Sequence, residues 1–438
     1  MNRLHPPEPV LEIAERLEHA GFEAWCVGGA IRDVLLGHPH LDWDLATSAT
    51  PTEVRDLFGG RRTIPIGIEF GTVGVLDRNN VMHEVTTFRR DVHTDGRHAV
   101  VEFGVSLDDD LARRDFTINA IAYSPRRGET RDPFGGTRDI GLKLIRAVGD
   151  PDARMREDRL RALRAIRFAA RFNFTIDGAT HAAIVSSAPH LGRLSPERVK
   201  QELDKTMEQV KCPSRAFETW QAVGAFLTLV PALADLAPHS FSVVDHLGMP
   251  GPTTRPGRRA NRFAGLLLGL TPEQAGSVLA GLRASKVETQ AVVDVIERWS
   301  RLGPSIAEAL GAAAAPTDAQ IRGWVASLGR LQIGPFMRVA AATWAADRLA
   351  GHAAPSCESI RRVYRRMLQS AFRDPIDLGS LAVDGDDLRR SGIPPGPGLG
   401  KILRALLAAV IDDPARNTAD WLLEEARRQL DQLARERR

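Results

Sequence analysis

Leu41-Asp42-Trp43-Asp44-Leu45 sets two carboxylates one residue apart in an otherwise apolar run. Read as a strand, alternate side chains share a face, so Asp42 and Asp44 point one way while Leu41, Trp43 and Leu45 point into a core. Carboxylates fixed on a rigid strand suit Mg²⁺, a hard cation that keeps part of its shell for water and substrate phosphates. An isolated Asp-x-Asp is also common on strands that face water, so the neighbouring residues decide the reading. Upstream, Ala24-Trp25-Cys26-Val27 reads as a short apolar strand, Gly28-Gly29 as a tight turn, and Ala30 to Leu36 as a helix closed by Gly37. Glycines at that turn let backbone N–H groups approach an anion at a helix N-terminus, where the dipole also favours phosphate. Arg32, one turn in, is placed to reach a triphosphate.

Further motifs follow in order. Val81 to Arg89 reads as another strand, and its Glu84 is the candidate for a third acid, as metal ligand or as base for an attacking hydroxyl. Arg113-Arg114-Asp115-Phe116-Thr117-Ile118-Asn119-Ala120 combines a phosphate-neutralising Arg with an Asp that can accept from sugar hydroxyls. Asp132-Pro133-Phe134-Gly135-Gly136-Thr137-Arg138-Asp139 carries glycines that fit a flexing loop. The whole series resembles the polymerase-β-like nucleotidyltransferase superfamily in its class II CCA-adding tRNA nucleotidyltransferase and bacterial poly(A) polymerase branch. The resemblance gives Asp42 and Asp44 the metal and assigns Glu84 to catalysis. It also puts Gly28, Gly29 and Arg32 on the triphosphate, Arg114 and Asp115 on phosphate and ribose, and the 132–139 segment at the junction of head and neck.

Base choice follows from a fifth stretch, Arg156 to Phe168. On a single helix over these residues Asp158, Arg161 and Arg164 share one face. CTP and ATP both offer an exocyclic amino donor beside a ring-nitrogen acceptor, which a carboxylate and a guanidinium satisfy together. UTP and GTP present the reverse arrangement and leave buried protein groups unpaired. By the resemblance Asp158 and Arg161 face the base, and Arg164 supports them or binds phosphate.

The chain's bulk properties set bounds. A length of 438 residues exceeds one compact core. A net charge of +3 leaves any RNA contact to local patches rather than a global field. Cys26, Cys212 and Cys357 are scattered without metal-ligand spacing, which fits a reducing cytosol. The N-terminus lacks an apolar signal segment and no apolar run spans a bilayer, so no membrane is expected and the cytoplasm is. The pattern is α+β: an α/β head over residues 1–140, a helical neck over 141–205, a helical body over 206–377 and a helical tail over 378–438. In the neck, Ser195 is expected to cap a helix that begins at Pro196. In the tail, Leu422, Ala426, Leu430 and Leu433 form one stripe. His239 to His246 resembles the first helix of an HD phosphohydrolase module, yet Leu266-Leu267-Leu268-Gly269-Leu270 stands where a His-Asp pair should follow. A degenerate HD-like region without hydrolase chemistry is therefore expected in the body.

Three activities share such a head: full CCA addition to tRNA 3′ ends, partial CC-only or A-only addition, and poly(A) tailing. Arg89 to His98 matches the flexible loop of CCA- and A-adding members, which CC-only members lack. The surrounding text is more similar to CCA-adding enzymes, with A-adding and poly(A) enzymes as the alternatives. The resemblance thus implies in-line attack by the tRNA 3′-hydroxyl on the α-phosphate of CTP or ATP, with Mg²⁺ as cofactor and the tail on tRNA. Oligomeric state is not written in the sequence.

Overall fold

The computed structural model describes residues 4–38, 43–94, 99–249 and 257–435. It forms two compact units, Met1–Asp235 and Leu236–Arg438. The first unit is organised by strands β1 (Ala24–Val27), β2 (Asp44–Thr47), β3 (Thr63–Gly67), β4 (Thr72–Leu76), β5 (Met82–Thr87), β6 (Arg89–Thr94), β7 (Ala99–Phe103), β8 (Ala122–Ser124) and β9 (Glu129–Arg131). Seven of them make a sheet in the order β3-β4-β5-β2-β1-β8-β9. Only the β2–β5 pair in it is parallel, with Leu45 opposite Val85. Strands β6 and β7 pair as an antiparallel hairpin in the stretch Arg89 to Phe103.

Alternation along β2 sorts the side chains as the sequence implies. Trp43 and Leu45 enter a core with Val73, Val75 and Val85. Helices α1 (Glu8–His19), α2 (Gly29–Leu35) and α3 (Pro51–Phe58) cover that face, contributing Val10, Ile13, Leu17, Ile31, Val54 and Phe58. The opposite face buries Trp25, Val27 and Ala46 against Leu107 and Leu111 of α4 (Leu107–Ala112). Strand β2 begins at Asp44, and Leu41 and Asp42 lie outside the described residues.

Helix α5 (Gly136–Gly141) follows the 132–135 turn. Gly136 at its start is required by close packing. A Cβ on Gly136 would stand 2.1 Å from the Thr117 carbonyl oxygen and 2.8 Å from Ile121. The Asp132 carboxylate accepts from the Gly136 and Thr137 backbone N–H groups at 2.7 and 2.8 Å, fastening the turn.

Helices then take over: α6 (Pro151–Glu157), α7 (Leu160–Phe172), α8 (Gly178–Ser187), α9 (Pro196–Gln209), α10 (Ser214–Ala222) and α11 (Ala225–Leu229). The single helix expected over 156–168 is two. It breaks at Asp158, whose extended backbone (φ −148°, ψ 104°) separates α6 from α7. Asp158 therefore shares no helix face with Arg161 and Arg164. Its Oδ1 instead accepts from the Leu160 N–H at 3.0 Å, satisfying one of the orphan donors at the start of α7. Helix α9 does start at Pro196, but the Ser195 side chain makes no capping hydrogen bond. A buried ion pair, Arg167 Nε to Glu202 Oε2 at 2.7 Å, ties α7 to α9.

The second unit is helical: α12 (Pro238–Phe241), α13 (Gly257–Leu267), α14 (Pro272–Gly281), α15 (Lys286–Gly311), α16 (Asp318–Leu328), α17 (Ile333–Leu349), α18 (Cys357–Arg373), α19 (Gly385–Arg390), α20 (Pro397–Asp412) and α21 (Ala419–Arg435). One core gathers α15 to α18 around Phe336, Trp344 and Met367. Another gathers α19 to α21 around Leu388, Leu406 and Leu422, with Ala426 and Leu430 on the expected stripe. Among the described residues no helix is long and apolar enough to cross a membrane.

Gly136 generates a stability prediction. Backbone cannot yield as a flexible side chain can, so Gly136→Ala should destabilise by about 2–3 kcal/mol. Gly141→Ala, with nothing within 4 Å of its Cβ, is the control and should leave the urea midpoint nearly unchanged. Equal midpoints for the two variants would contradict the packing account.

Candidate active site

Gly28, Gly29, Arg32, Asp44, Arg114, Asp115, Asp158, Arg161 and Arg164 all line one cavity of about 450 Å³. The turn between β1 and α2 builds its floor. Gly28 has φ +74°, and a Cβ there would lie 3.0 Å from Nη1 of Arg114. Both conformation and space thus require glycine, and the guanidinium rests directly on the turn. Arg114 donates to Asp110 Oδ2 at 3.1 Å and to the Asn119 carbonyl at 3.4 Å. Its Nε is buried with no hydrogen-bond partner among the described residues, a donor suited to an anion in the cavity.

Asp115 is the most tightly held group of the site. It accepts from Arg164 Nε at 2.8 Å, from Asn119 Nδ2 at 2.8 Å and from the Phe116 N–H at 2.9 Å. Burial alone pushes its carboxyl up, but the Arg164 charge and these hydrogen bonds outweigh that and bring it from 3.8 down to about 2. The same pairing, led by the Asp115 charge, raises the Arg164 guanidinium.

Arg32 differs from its expected role of reaching a triphosphate. It is 4% exposed and its donors are committed: Nε to Asp33 Oδ1 at 2.7 Å and Nη1 to Asn119 Oδ1 at 2.5 Å. Its guanidinium lies 5.1 Å from the Phe168 ring centre and 4.8 Å from that of Phe172. Burial lowers its proton affinity, with Asp33 opposing the shift. Arg32 therefore joins α2 to α7 and gives the cavity wall a fixed positive charge.

Asp158 and Arg161 meet in the cavity despite the helix break. Asp158 Oδ2 accepts from Arg198 Nη2 at 2.8 Å, so its carboxylate is clamped between the Leu160 amide and a guanidinium from α9. Arg161 is tethered by Glu157 at 2.6 Å and by the Arg113 carbonyl at 3.0 Å.

Glu84 does not line the cavity and is exposed on β5. Leu45 and Val85 are opposite each other and enter the same core, so Asp44 and Glu84 stand on the other face of adjacent strands. Asp42 lies outside the described residues. Sequence reasoning missed Asn119, Phe168 and Arg198, which also line the cavity. Asn119 closes the quoted 113–120 run and Arg198 begins α9, but only tertiary contacts give them work.

The wall's donor chemistry fits a divalent cation. Asp115 and Asp158 are held by arginines, and Asp44, which opens β2, lines the same cavity. Carboxylate oxygens there, with Asp42 two positions earlier, suit a hard ion that leaves ligand positions for phosphate and water. Among the described residues no three metal-ligating side chains converge, so such an ion would complete its shell from those sources.

The Asp115 shift fixes a pH dependence. A carboxyl depressed from 3.8 to about 2 adds stability that is fully present above its unfolded pKa and lost as pH falls through about 2. Asp115→Asn should cost on the order of 2 kcal/mol near neutrality, and the gap from the parent should close as pH falls from about 4 toward 2. Denaturant unfolding at a series of pH values reads this, and a gap constant across that window would refute it.

Comparisons with known proteins agree with this geometry. A family model described as the poly A polymerase head domain matches residues 24–146. A second, described as a probable RNA and SrmB-binding site of polymerase A, matches residues 173–236. The CCA-adding enzyme of Latilactobacillus sakei is 35% identical over 419 residues, 95% of this chain and 97% of that one. A crystal structure of the Bacillus stearothermophilus CCA-adding enzyme in complex with CTP superposes with a TM-score of 0.74 at 30% identity, covering 98% of this chain and 100% of that one. The fold is also that of the Thermotoga maritima CCA-adding enzyme complexed with tRNA, with a TM-score of 0.67 at 21% identity over 98% of this chain and 97% of that one. A head cavity of this construction, in a chain this similar along nearly its whole length, belongs to the family of CCA-adding enzymes.

Proposed function

We propose that the protein adds CCA to the 3′ end of tRNA from CTP and ATP without a nucleic-acid template, releasing pyrophosphate. One observation carries this reading: a single cavity is lined by a glycine turn and Arg114, suited to a triphosphate, together with Asp44 and the clamped Asp158 and Arg161. The 35% identity to a CCA-adding enzyme over 95% of the chain supports it.

In this reading Arg114 neutralises phosphate through its buried Nε, and Asp115 is held ionised to accept from ribose hydroxyls. Asp158 accepts from the exocyclic amino group of cytosine or adenine and Arg161 donates to the ring nitrogen. A base with the reverse pattern would set acceptor against acceptor at Asp158 and donor against donor at Arg161. Mg²⁺ bound by Asp42 and Asp44 would supply Lewis-acid polarisation of the phosphoryl oxygens. Glu84, on β5 beside β2, would act as a metal ligand or as base for the attacking 3′-hydroxyl. The helical neck, body and tail would grip the RNA backbone by shape, in the cytoplasm, so binding should weaken steeply with salt.

Incubation with Mg²⁺ and transcripts ending before CCA, after C and after CC, with CTP and ATP apart and together, tests the reaction. Completion of all three to CCA and no further is the expected product pattern. Addition of a single A to the CC-ended transcript alone would make it an A-adding enzyme, and long A tails a poly(A) polymerase.

Asp44→Ala should lower turnover at least about a thousand-fold with tRNA affinity nearly unchanged. Arg198→Ala frees one side of the Asp158 carboxylate, so discrimination between CTP and UTP should fall about tenfold while the melting temperature holds. Unaltered discrimination would remove Asp158 from base reading.

A further inference from the structure

A second cavity, of about 430 Å³, lies wholly within the helical unit, between the 3-10 turn Ser242–His246, α13 and α17. It shares no residue with the head cavity. Its volume falls within the roughly 300–1,000 Å³ typical of small-ligand sites. Arg258, Arg338 and His246 stand on its wall, and no Asp or Glu is among the described residues that line it. Arg338 is exposed and makes no ion pair among the described residues, while Arg258 spends one donor on the Met249 carbonyl at 3.0 Å. In a chain whose net charge is only +3, such a cluster of uncompensated guanidinium groups in a concavity marks an anion site.

Asn261 adds an independent observation. It lines the cavity, is 4% exposed, and has no hydrogen-bond partner among the described residues. Its carboxamide carries a donor and an acceptor side by side, the pattern that pairs with the edge of a base. The α17 wall is Ala341, Ala342 and Ala345, one and two turns from Arg338 and free of bulky side chains, so a planar ring can lie against it.

We propose that this cavity binds a nucleoside phosphate, with the phosphate on Arg258 and Arg338, the ring on the alanine wall and the base edge on Asn261. The ligand is either a free nucleotide or a nucleotide of the bound RNA, since both present the same chemistry. The site stands independently of the reaction assigned to the head.

Equilibrium dialysis of the full chain with labelled ATP, and separately with a tRNA transcript lacking CCA, tests the proposal on the parent, Arg338→Glu and Asn261→Leu. Arg338 is exposed, so its variant should fold. For a free nucleotide, the parent binds two ATP per chain and Arg338→Glu one. For an RNA nucleotide, each binds one ATP, but Arg338→Glu weakens tRNA binding tenfold or more. Unchanged ATP stoichiometry together with unchanged tRNA affinity would overturn the site. Displacement of the second ATP equally well by inorganic phosphate and by AMP would overturn base recognition, as would full binding by a folded Asn261→Leu.

Discussion

A single half-buried carboxylate, Asp115, holds the head and the following helix in register. It grips Arg164 of α7 on one side and Asn119 on the other. Asn119 in turn accepts from Arg32 of α2, whose other donors meet Asp33. Asp33 then reaches Arg171, a further two turns along α7, at 3.3 Å. The circuit closes on itself, from α7 through the 113–120 segment to α2 and back. Each charge in it is expensive to bury alone and tolerable only with its neighbours present. Phe168 and Phe172 fill the space beneath the guanidinium groups, so the circuit is packed as well as paired.

That arrangement explains why the cavity wall is so rich in arginine without collapsing. Arg113 and Arg114 share the buried Asp110, Arg164 has Asp115, Arg198 has Asp158 and Arg161 has Glu157. Each guanidinium is anchored at one edge before any substrate arrives. Little side-chain entropy is then lost on binding, and the donors that face the cavity are already aimed. The arrangement also separates duties. Groups such as Arg32 have their donors committed and act through their charge.

Local pattern told most of the head. Strand β1, the glycine turn and α2 were readable because each is fixed by neighbours in sequence: an apolar run, two glycines and a helical period. The apolar partners Trp43 and Leu45 likewise followed from alternation. What escaped depends on residues far apart in the chain. Nothing in the 156–168 stretch announces a break, for it holds neither Gly nor Pro and its helical period runs straight through. The break is instead held by Arg198, 40 residues onward, and by the amide that Asp158 caps. Arg32 misled for the same reason, since the partner that buries it, Asn119, is 87 residues away. Gly136 shows the converse: composition alone does not reveal the Thr117 backbone oxygen that leaves no room for a side chain there.

The parallel pairing of β2 with β5 has an architectural effect of its own. Parallel neighbours start at the same end of a sheet, so Asp44 and Glu84 arrive side by side although α3, β3 and β4 intervene. Strands β3 and β4 hang outward on the far side of β5, at the sheet's margin. The turn that joins them is thus remote from the acids in connectivity. The spacing of the two carboxylates is thus fixed by the register of β2 on β5, whatever the length of chain between them.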